Sequence, residues 1–256
     1  MKVVRIGNLD IGRGRPCIIV PLTSPTEEEL LAEASALAGM PVDMAEWRVD
    51  MFGAEELPGM RDVLDMLKRL RETLSVPLLA TFRTADEGGR RGLSGEEYAS
   101  LCAALCESGH VDLLDVEAFS RSGRAGEIIE RAHACRVPVV ASNHDFQATP
   151  PKEEIVRRLL FMQNGLGADI LKMAVMPRSR ADVVTLLDAT QEASALADRP
   201  VITMSMGSLG VISRVCGQSF GSAATFGAAH RASAPGQMDV FALDAVLRAL
   251  DHAAGD

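Results

Sequence analysis

The chain is poor in lysine, in aromatic residues and in long hydrophobic runs. Lys2, Lys68, Lys152 and Lys172 are the only lysines among 26 basic residues, and aromatics make up 4% of the 256 residues, with a single Trp and a single Tyr. A formal charge of −9 and a pI near 5.1 argue against a general nucleic-acid binder, whose footprint is a basic face. An anionic small molecule stays open as a ligand, because a few local arginines outweigh a distant net charge. No apolar run approaches the ~18 residues that span a bilayer, so no transmembrane helix and no membrane partner are expected. The opening stretch MKVVRIGNLDIGRG is broken by charge and glycine and has no signal-peptide core, which makes a cytoplasmic protein the expectation. Cys17, Cys102, Cys106, Cys135 and Cys216 are scattered, with no CxxC pair. That speaks against a disulfide framework or a zinc site and leaves reduced thiols as the default.

What is present is the composition of an ordinary globular protein, 47% hydrophobic and 24% charged, with 22 Gly and 12 Pro. No linker, low-complexity tract or repeat divides it, so residues 1–256 are expected to form one domain. Short apolar runs recur at 17–22, 45–49, 78–83, 113–117, 139–145, 169–175, 201–206 and 222–228. Runs of this length rich in Val, Ile, Leu and Thr fit strands buried on both faces, and only the last, rich in Gly and Ala, departs from that pattern. Helix signals fill most gaps. Ser24 before Pro25 and an acidic turn reads as an N-cap with proline at N1. Val63, Leu64, Leu67, Leu70 and Leu74 recur at helical spacing in 61–74. Ser94 with Glu97 forms a capping box, and Gly109 ends that helix. Residues 151–164, 179–197 and 239–253 are amphipathic. Strand–helix alternation repeated eight times predicts an α/β fold of the closed (β/α)₈, or TIM, barrel type. The rival is an open doubly wound sheet, but no glycine-rich phosphate fingerprint follows the first strand. Residues 2–16 are expected to form a hairpin closing the barrel floor.

In such a barrel, reactive side chains lie on inward positions near the strand C-termini and on the loops after them. Along 45–50, Ala45, Trp47 and Val49 share one face while Glu46, Arg48 and Asp50 share the other. Charges on a buried strand face need a polar interior. They form either an ion-pair ladder or part of a site. Thr81 and Arg83 share a face of the third strand, and Glu87 follows in a loop that Gly88-Gly89 should leave free to move. Lys172 sits mid-strand among apolar neighbours, where lysine is seldom buried without a reason. Desolvation or a neighbouring positive charge would free its amine to attack a carbonyl and form a Schiff base; the alternative is a structural lysine neutralised by an interior carboxylate. His144 ends the fifth strand and suits proton transfer near neutrality. Asp115 and Glu117 are alternative bases or interior partners for His144, Lys172 or Arg48. Arg214 follows the seventh strand after a glycine-bounded turn and suits a carboxylate. His230-Arg231-Ala232-Ser233-Ala234-Pro235-Gly236-Gln237 reads as a mobile polar cover offering Ser233 and Gln237. Residues alone thus point to Schiff-base chemistry on an anionic keto compound, without separating dehydration from C–C cleavage.

The segments Glu46-Trp47-Arg48-Val49-Asp50, Thr81-Phe82-Arg83-Thr84, Glu87-Gly88-Gly89, Ser142-Asn143-His144-Asp145-Phe146, Lys172-Met173-Ala174-Val175-Met176-Pro177, Ser213-Arg214, Phe220 to Gly227 and Ala232 to Gln237 together resemble type I 3-dehydroquinate dehydratase of the shikimate pathway. They span nearly the whole chain in the family's order. Ala118, and Pro21-Leu22-Thr23 at the end of the first strand, depart from it slightly. The resemblance implies a lyase that removes water syn from 3-dehydroquinate to give 3-dehydroshikimate, with that small molecule as its partner, a homodimeric state, and no metal or organic cofactor. It implies that Lys172 forms the imine, that His144 is the general acid and base, and that Glu87 orients it. Arg214 would hold the substrate carboxylate, and Glu46, Arg48, Arg83, Ser233 and Gln237 its hydroxyls and ring. A class I aldolase-type barrel acting on a sugar phosphate is the main enzymatic rival; it calls for a phosphate site after strands seven and eight, where Arg214 and the Ser-Ala-Pro-Gly-Gln segment suit a carboxylate and hydroxyls better. A catalytically dead barrel serving as a binding module is the other, and intact Lys172, His144 and Glu87 count against it.

Overall fold

The structure, a computed structural model, describes residues 3–229 and 233–255. Lys2 and the loop residues His230, Arg231 and Ala232 lie outside the described residues. Strands β1 (Val4–Ile6) and β2 (Leu9–Ile11) pair antiparallel as the expected hairpin. The eight anticipated strands come next as β3 (Cys17–Leu22), β4 (Met44–Arg48), β5 (Leu78–Thr81), β6 (Leu113–Glu117), β7 (Val139–Asp145), β8 (Ile170–Val175), β9 (Val201–Ser205) and β10 (Ala224–Ala228). Each is succeeded by a helix: α1 (Glu27–Ala36), α2 (Met60–Thr73), α3 (Gly95–Glu107), α4 (Ala125–Ala134), α5 (Lys152–Asn164), α6 (Arg180–Leu196), α7 (Gly207–Cys216) and α8 (Val240–Ala253). A two-residue strand β11 (Met238–Asp239) adds to β10.

From β3 to β9 neighbouring strands pair in parallel and in chain order, and β10 pairs with β3. The curled sheet meets itself where β9 approaches the start of β10. There Val201 bridges Ser222, and the Ala223 amide donates to the Val201 carbonyl at 2.8 Å. The fold is therefore α/β and TIM-barrel-like. None of the described helices is long and apolar enough to cross a membrane.

Period-two alternation sorts the strand side chains into two separate apolar clusters. Ile18, Val20, Leu22, Leu78, Ala80 and Phe82 pack outward with helix residues such as Leu30, Leu67 and Leu101. Ile19, Met44, Leu79, Leu113, Val140, Ile170 and Ile202 pack inward, and Ile6 and Ile11 of the hairpin plug the floor beneath them. Two residues further along the same inward faces stand Glu46, Thr81, Asp115, Ser142 and Lys172, all buried. The interior thus changes from hydrocarbon at the bottom to charge at the top within one pleat.

Three local expectations are corrected. Helix α1 is capped by Thr26, whose Oγ1 accepts from the Glu29 amide, rather than by Ser24, so Pro25 precedes the helix. The stretch after β9 is not a turn but helix α7, built from glycine, serine and β-branched residues that favour helices poorly. Packing overrides propensity there. A side chain on Gly210 would place its Cβ 2.2 Å from the Ser205 carbonyl oxygen, and Ser213 Oγ accepts the Ser205 amide at 2.9 Å. Gly88 and Gly89 serve close approach rather than mobility. A Cβ on Gly88 would meet the Phe146 ring at 2.2 Å, and one on Gly89 the Arg83 carbonyl at 1.9 Å.

The hairpin plug is remote from the charged end of the barrel. Ile11→Ala is expected to cost about 2–5 kcal/mol in urea unfolding while leaving ligand affinity at the barrel mouth unchanged. A loss of affinity in the folded variant would contradict the separation of floor and mouth.

Candidate active site

A cavity of about 180 Å³ opens at the C-terminal ends of the strands and is lined by the nine side chains to which the family resemblance gives a role, while Asp115 and Glu117 stand behind it. At its base Lys172 is 4% exposed. Its ammonium donates to Asp115 Oδ2 at 3.3 Å, lies 4.0 Å from Glu46 Oε1, and sits 4.7 Å from the centre of the Phe226 ring. The interior carboxylate expected of a structural lysine is therefore present. The same geometry nevertheless points the nitrogen into the cavity. Thr81 donates to Glu46 Oε1 at 2.9 Å and fixes that carboxylate.

Arg83 anchors the polar interior. Its guanidinium donates to Asp115 at 2.7 Å, to Glu117 at 3.0 Å, to Ser142 Oγ at 3.0 Å and to Glu87 at 3.4 Å. Burial disfavours the Arg83 charge, but Asp115, Glu117 and Glu87 outweigh it and hold the cation firmly. Burial likewise disfavours the Asp115 carboxylate, yet Arg83 and Lys172 keep it below the usual carboxylate range. The partners of Asp115 and Glu117 are thus Arg83 and Lys172, not His144 or Arg48. Arg48 is instead held in a fork by Asp50, with both bonds at 2.8 Å.

His144 stands at the end of β7. Glu87 Oε2 receives both its backbone amide, at 3.0 Å, and its ring Nδ1, at 2.9 Å. When Glu87 is ionised Nδ1 must be the donor, which leaves Nε2 of the neutral ring without a proton and turned from Glu87. Burial holds the imidazole well below its ordinary pKa, helped by the positive fields of Arg83, Lys172 and Arg48, so the ring rests neutral. Burial pushes Glu87 up to about 7; Arg83 and the Asn143 amide oppose that rise, while Glu117 and Asp115 add to it.

Arg214 lies in the last turn of α7 and is 2% exposed. Its Nη2 donates to the Pro235 carbonyl at 3.1 Å and its Nη1 faces Met204 Sδ at 3.6 Å, while Nε is buried without a partner. No carboxylate among the described residues pairs with it. Burial alone draws this guanidinium down to about 10. The Pro235 contact also ties the cover to α7, as does the bond from the Gly207 amide to the Pro235 carbonyl at 3.1 Å. Within that cover, Gln237 Nε2 donates to Ser233 Oγ at 2.9 Å and the Ser233 amide donates to Gln237 Oε1 at 2.7 Å. Among the described residues no group of three or more His, Cys, Asp or Glu side chains is placed to hold a metal ion.

A model of the type I 3-dehydroquinase family matches residues 18–254. The chain belongs to that family. It is 49% identical over 248 residues to the 3-dehydroquinate dehydratase of Listeria monocytogenes serotype 4a, covering 96% of this chain and 97% of that one. The Enterococcus faecalis 3-dehydroquinate dehydratase is 47% identical over 254 residues, covering 98% and 99%. The crystal structure of the type I 3-dehydroquinate dehydratase of Clostridium difficile with covalent modified comenic acid superposes with a TM-score of 0.94 at 46% identity, over 99% of this chain and 100% of that one. The chain is accordingly an enzyme of the dehydratase family.

Sequence reasoning overlooked the apolar wall of this type I dehydroquinase cavity, made by Phe146, Met204, Met206 and Phe226. Strand alternation carried the signal, since Met204, Met206 and Phe226 fall on the inward faces of their segments. A buried, unpaired guanidinium is costly to the ligand-free protein. Arg214→Met is expected to raise the stability of the empty protein by about 1–4 kcal/mol and to remove most of the thermal stabilisation that a carboxylate ligand confers on the parent. Scanning calorimetry with and without ligand checks both signs, and a destabilised empty variant would show the guanidinium to be satisfied as it stands.

Proposed function

We propose that the protein dehydrates 3-dehydroquinate to 3-dehydroshikimate, as a carbon–oxygen lyase, through a Schiff base on Lys172. One observation carries this reading: a buried lysine, a histidine held by a carboxylate, and an arginine with no carboxylate partner among the described residues all line one small cavity. That the Clostridium difficile relative carries covalent modified comenic acid is in keeping with a covalent step on this chain.

After the ammonium sheds a proton, Nζ attacks the substrate ketone and water leaves, giving a protonated imine. The C–H next to the imine carbon is thereby acidified, because the electron pair it releases can move onto nitrogen. His144 Nε2 takes that proton and an enamine forms. The new imidazolium is stabilised by ionised Glu87 at 2.9 Å. The enamine pair then expels the hydroxyl one carbon further on, which His144 protonates as it departs as water. Removal and delivery by one ring place the proton and hydroxyl on the same face, so loss is syn. Water adds to the conjugated iminium and releases the enone and the free lysine. Arg214 supplies the counter-charge for the substrate carboxylate. Glu46, Arg48, Arg83, Ser233 and Gln237 offer hydrogen bonds to hydroxyls and ring, and Arg83, which also donates to Asp115, Glu117, Glu87 and Ser142, holds the site together. We further propose that the chain works as a single-domain homodimer, which sedimentation checks.

Three outcomes are expected. Borohydride with 3-dehydroquinate inactivates the enzyme irreversibly, and peptide mapping finds the adduct on Lys172; an adduct on Lys68 or Lys152 would sink the assignment. His144→Ala still traps substrate but loses ~10²–10⁴-fold in turnover, read from the ultraviolet absorbance of the enone. The pH dependence arises from Glu87, whose negative charge stabilises the His144 imidazolium only when the carboxylate is ionised. As pH falls through about 7 this carboxylate takes up a proton. The acid limb of kcat/KM is therefore expected near pH 7, and to be missing from Glu87→Gln.

A further inference from the structure

The hydrogen bonds behind His144 do not end at Glu87. Asn143 Nδ2 donates to Glu87 Oε1 at 3.1 Å, and Asn143 Oδ1 accepts from Arg158 Nη1 at 3.0 Å. Between the inward-facing Ser142 and His144, Asn143 falls on the outer face of β7, toward α5, which is how a helix residue reaches it. Arg158 is itself fixed. Its Nε donates to Glu154 Oε1 at 2.6 Å, and its guanidinium lies 5.8 Å from the centre of the Phe119 ring, which packs against Phe161. A chain of contacts thus runs from the solvent side of α5 through one amide to the carboxylate that grips His144.

An amide held between a carboxylate and a guanidinium has one satisfied orientation. As found, its NH₂ faces the carboxylate and its oxygen faces the cation. Turned over, its oxygen would meet Glu87 and its NH₂ would meet Arg158, and both contacts would become repulsive. Asn143 is 7% exposed, so water offers little rescue to either end. We infer that Arg158 is a positioning residue: by holding Asn143 Oδ1 it keeps the amide NH₂ on Glu87, and so keeps Glu87 aimed as the acceptor for His144 Nδ1. This rests on the proposed pairing of His144 with Glu87. The other groups facing Glu87 are Arg83 from its own loop, Asp115 and Glu117 from β6, and His144 from β7. Of these Arg83 favours the ionised carboxylate and the two acids oppose it. Asn143, held by Arg158, adds to the favourable side from outside the barrel.

The test compares the parent with Arg158→Leu, which removes the donor, and Arg158→Lys, which retains one. Loss of the amide's support should push the acid limb of kcat/KM to higher pH in Arg158→Leu. Its deficit at pH 6 should exceed that at pH 8.5 by about two- to tenfold, the range of one net hydrogen bond. Arg158→Lys should recover most of this, and Asn143→Asp, which sets a second carboxylate against Glu87, should shift the limb further. Nitrogen NMR of the His144 ring, assigned through His144→Ala, reads the same change without turnover, as a smaller share of the Nδ1-protonated tautomer. Should Arg158→Leu not fold, Glu154→Gln frees Arg158 on the helix surface and should give a smaller shift of the same sign. No turnover of 3-dehydroquinate by the parent would refute the functional reading, and the NMR comparison would still decide this one. Superimposable pH profiles together with an unchanged tautomer overturn the inference.

Discussion

A guanidinium inside the barrel makes the rest of the site possible. Ionised carboxylates are not tolerated in a low-dielectric interior unless each is paired and hydrogen-bonded. Arg83 pairs with three carboxylates at once, reaching Asp115, Glu117 and Glu87 from a single planar fork. The consequences are positional. With Asp115 held ionised, Lys172 has a fixed acceptor and a fixed direction. With Glu87 held within reach, the His144 ring has a fixed partner. Lys172 and His144 therefore share one buried cation as their common support, each through a carboxylate that stands between.

Arg214 is built in the opposite way. Arg83 is surrounded by acceptors, whereas Arg214 reaches only a carbonyl and a thioether sulfur and leaves Nε without a partner. The contrast distinguishes the two arginines more sharply than exposure does, since both are almost fully buried. Because the Pro235 carbonyl occupies one of its donors, the Arg214 guanidinium and the Ser233–Gln237 cover are mechanically linked.

Much of this was legible in the sequence. The eight strands were found where short β-branched runs stood, and the inward charges of β4 and β6 came from period-two alternation. Lys172 of β8 stood out instead as a lone lysine among apolar neighbours. What alternation does not fix is pairing. Glu87 and His144 stand 57 positions apart, and nothing local says that Asp115 chooses Arg83 and Lys172 over His144. Helix α7 was read as a turn because its Gly and Ser residues argue against a helix, and only the close fit of Gly210 onto Ser205 explains why a helix forms. Helix α4 was not foreseen because it begins Ala-Gly without a side-chain cap. The paired glycines after Glu87 suggested freedom when their task is contact, a distinction that depends on Phe146 from another strand.

The depth of the charged layer explains why recognition and stability do not compete along most of the chain. From β4 to β8 each inward strand face carries hydrocarbon first and a polar group two residues later, so the same strand contributes to the plugged floor and to the polar mouth. Substitution at one level leaves the other level's partners in place. The exception is β7. His144 serves the mouth, while the adjacent Asn143 looks outward and binds a helix side chain. At that point the barrel wall is one residue thick, and the surface of α5 lies two hydrogen bonds from the carboxylate that sets the state of the imidazole. Through Arg158, a helix that otherwise packs on β8 and α6 therefore reaches the polar mouth of the barrel.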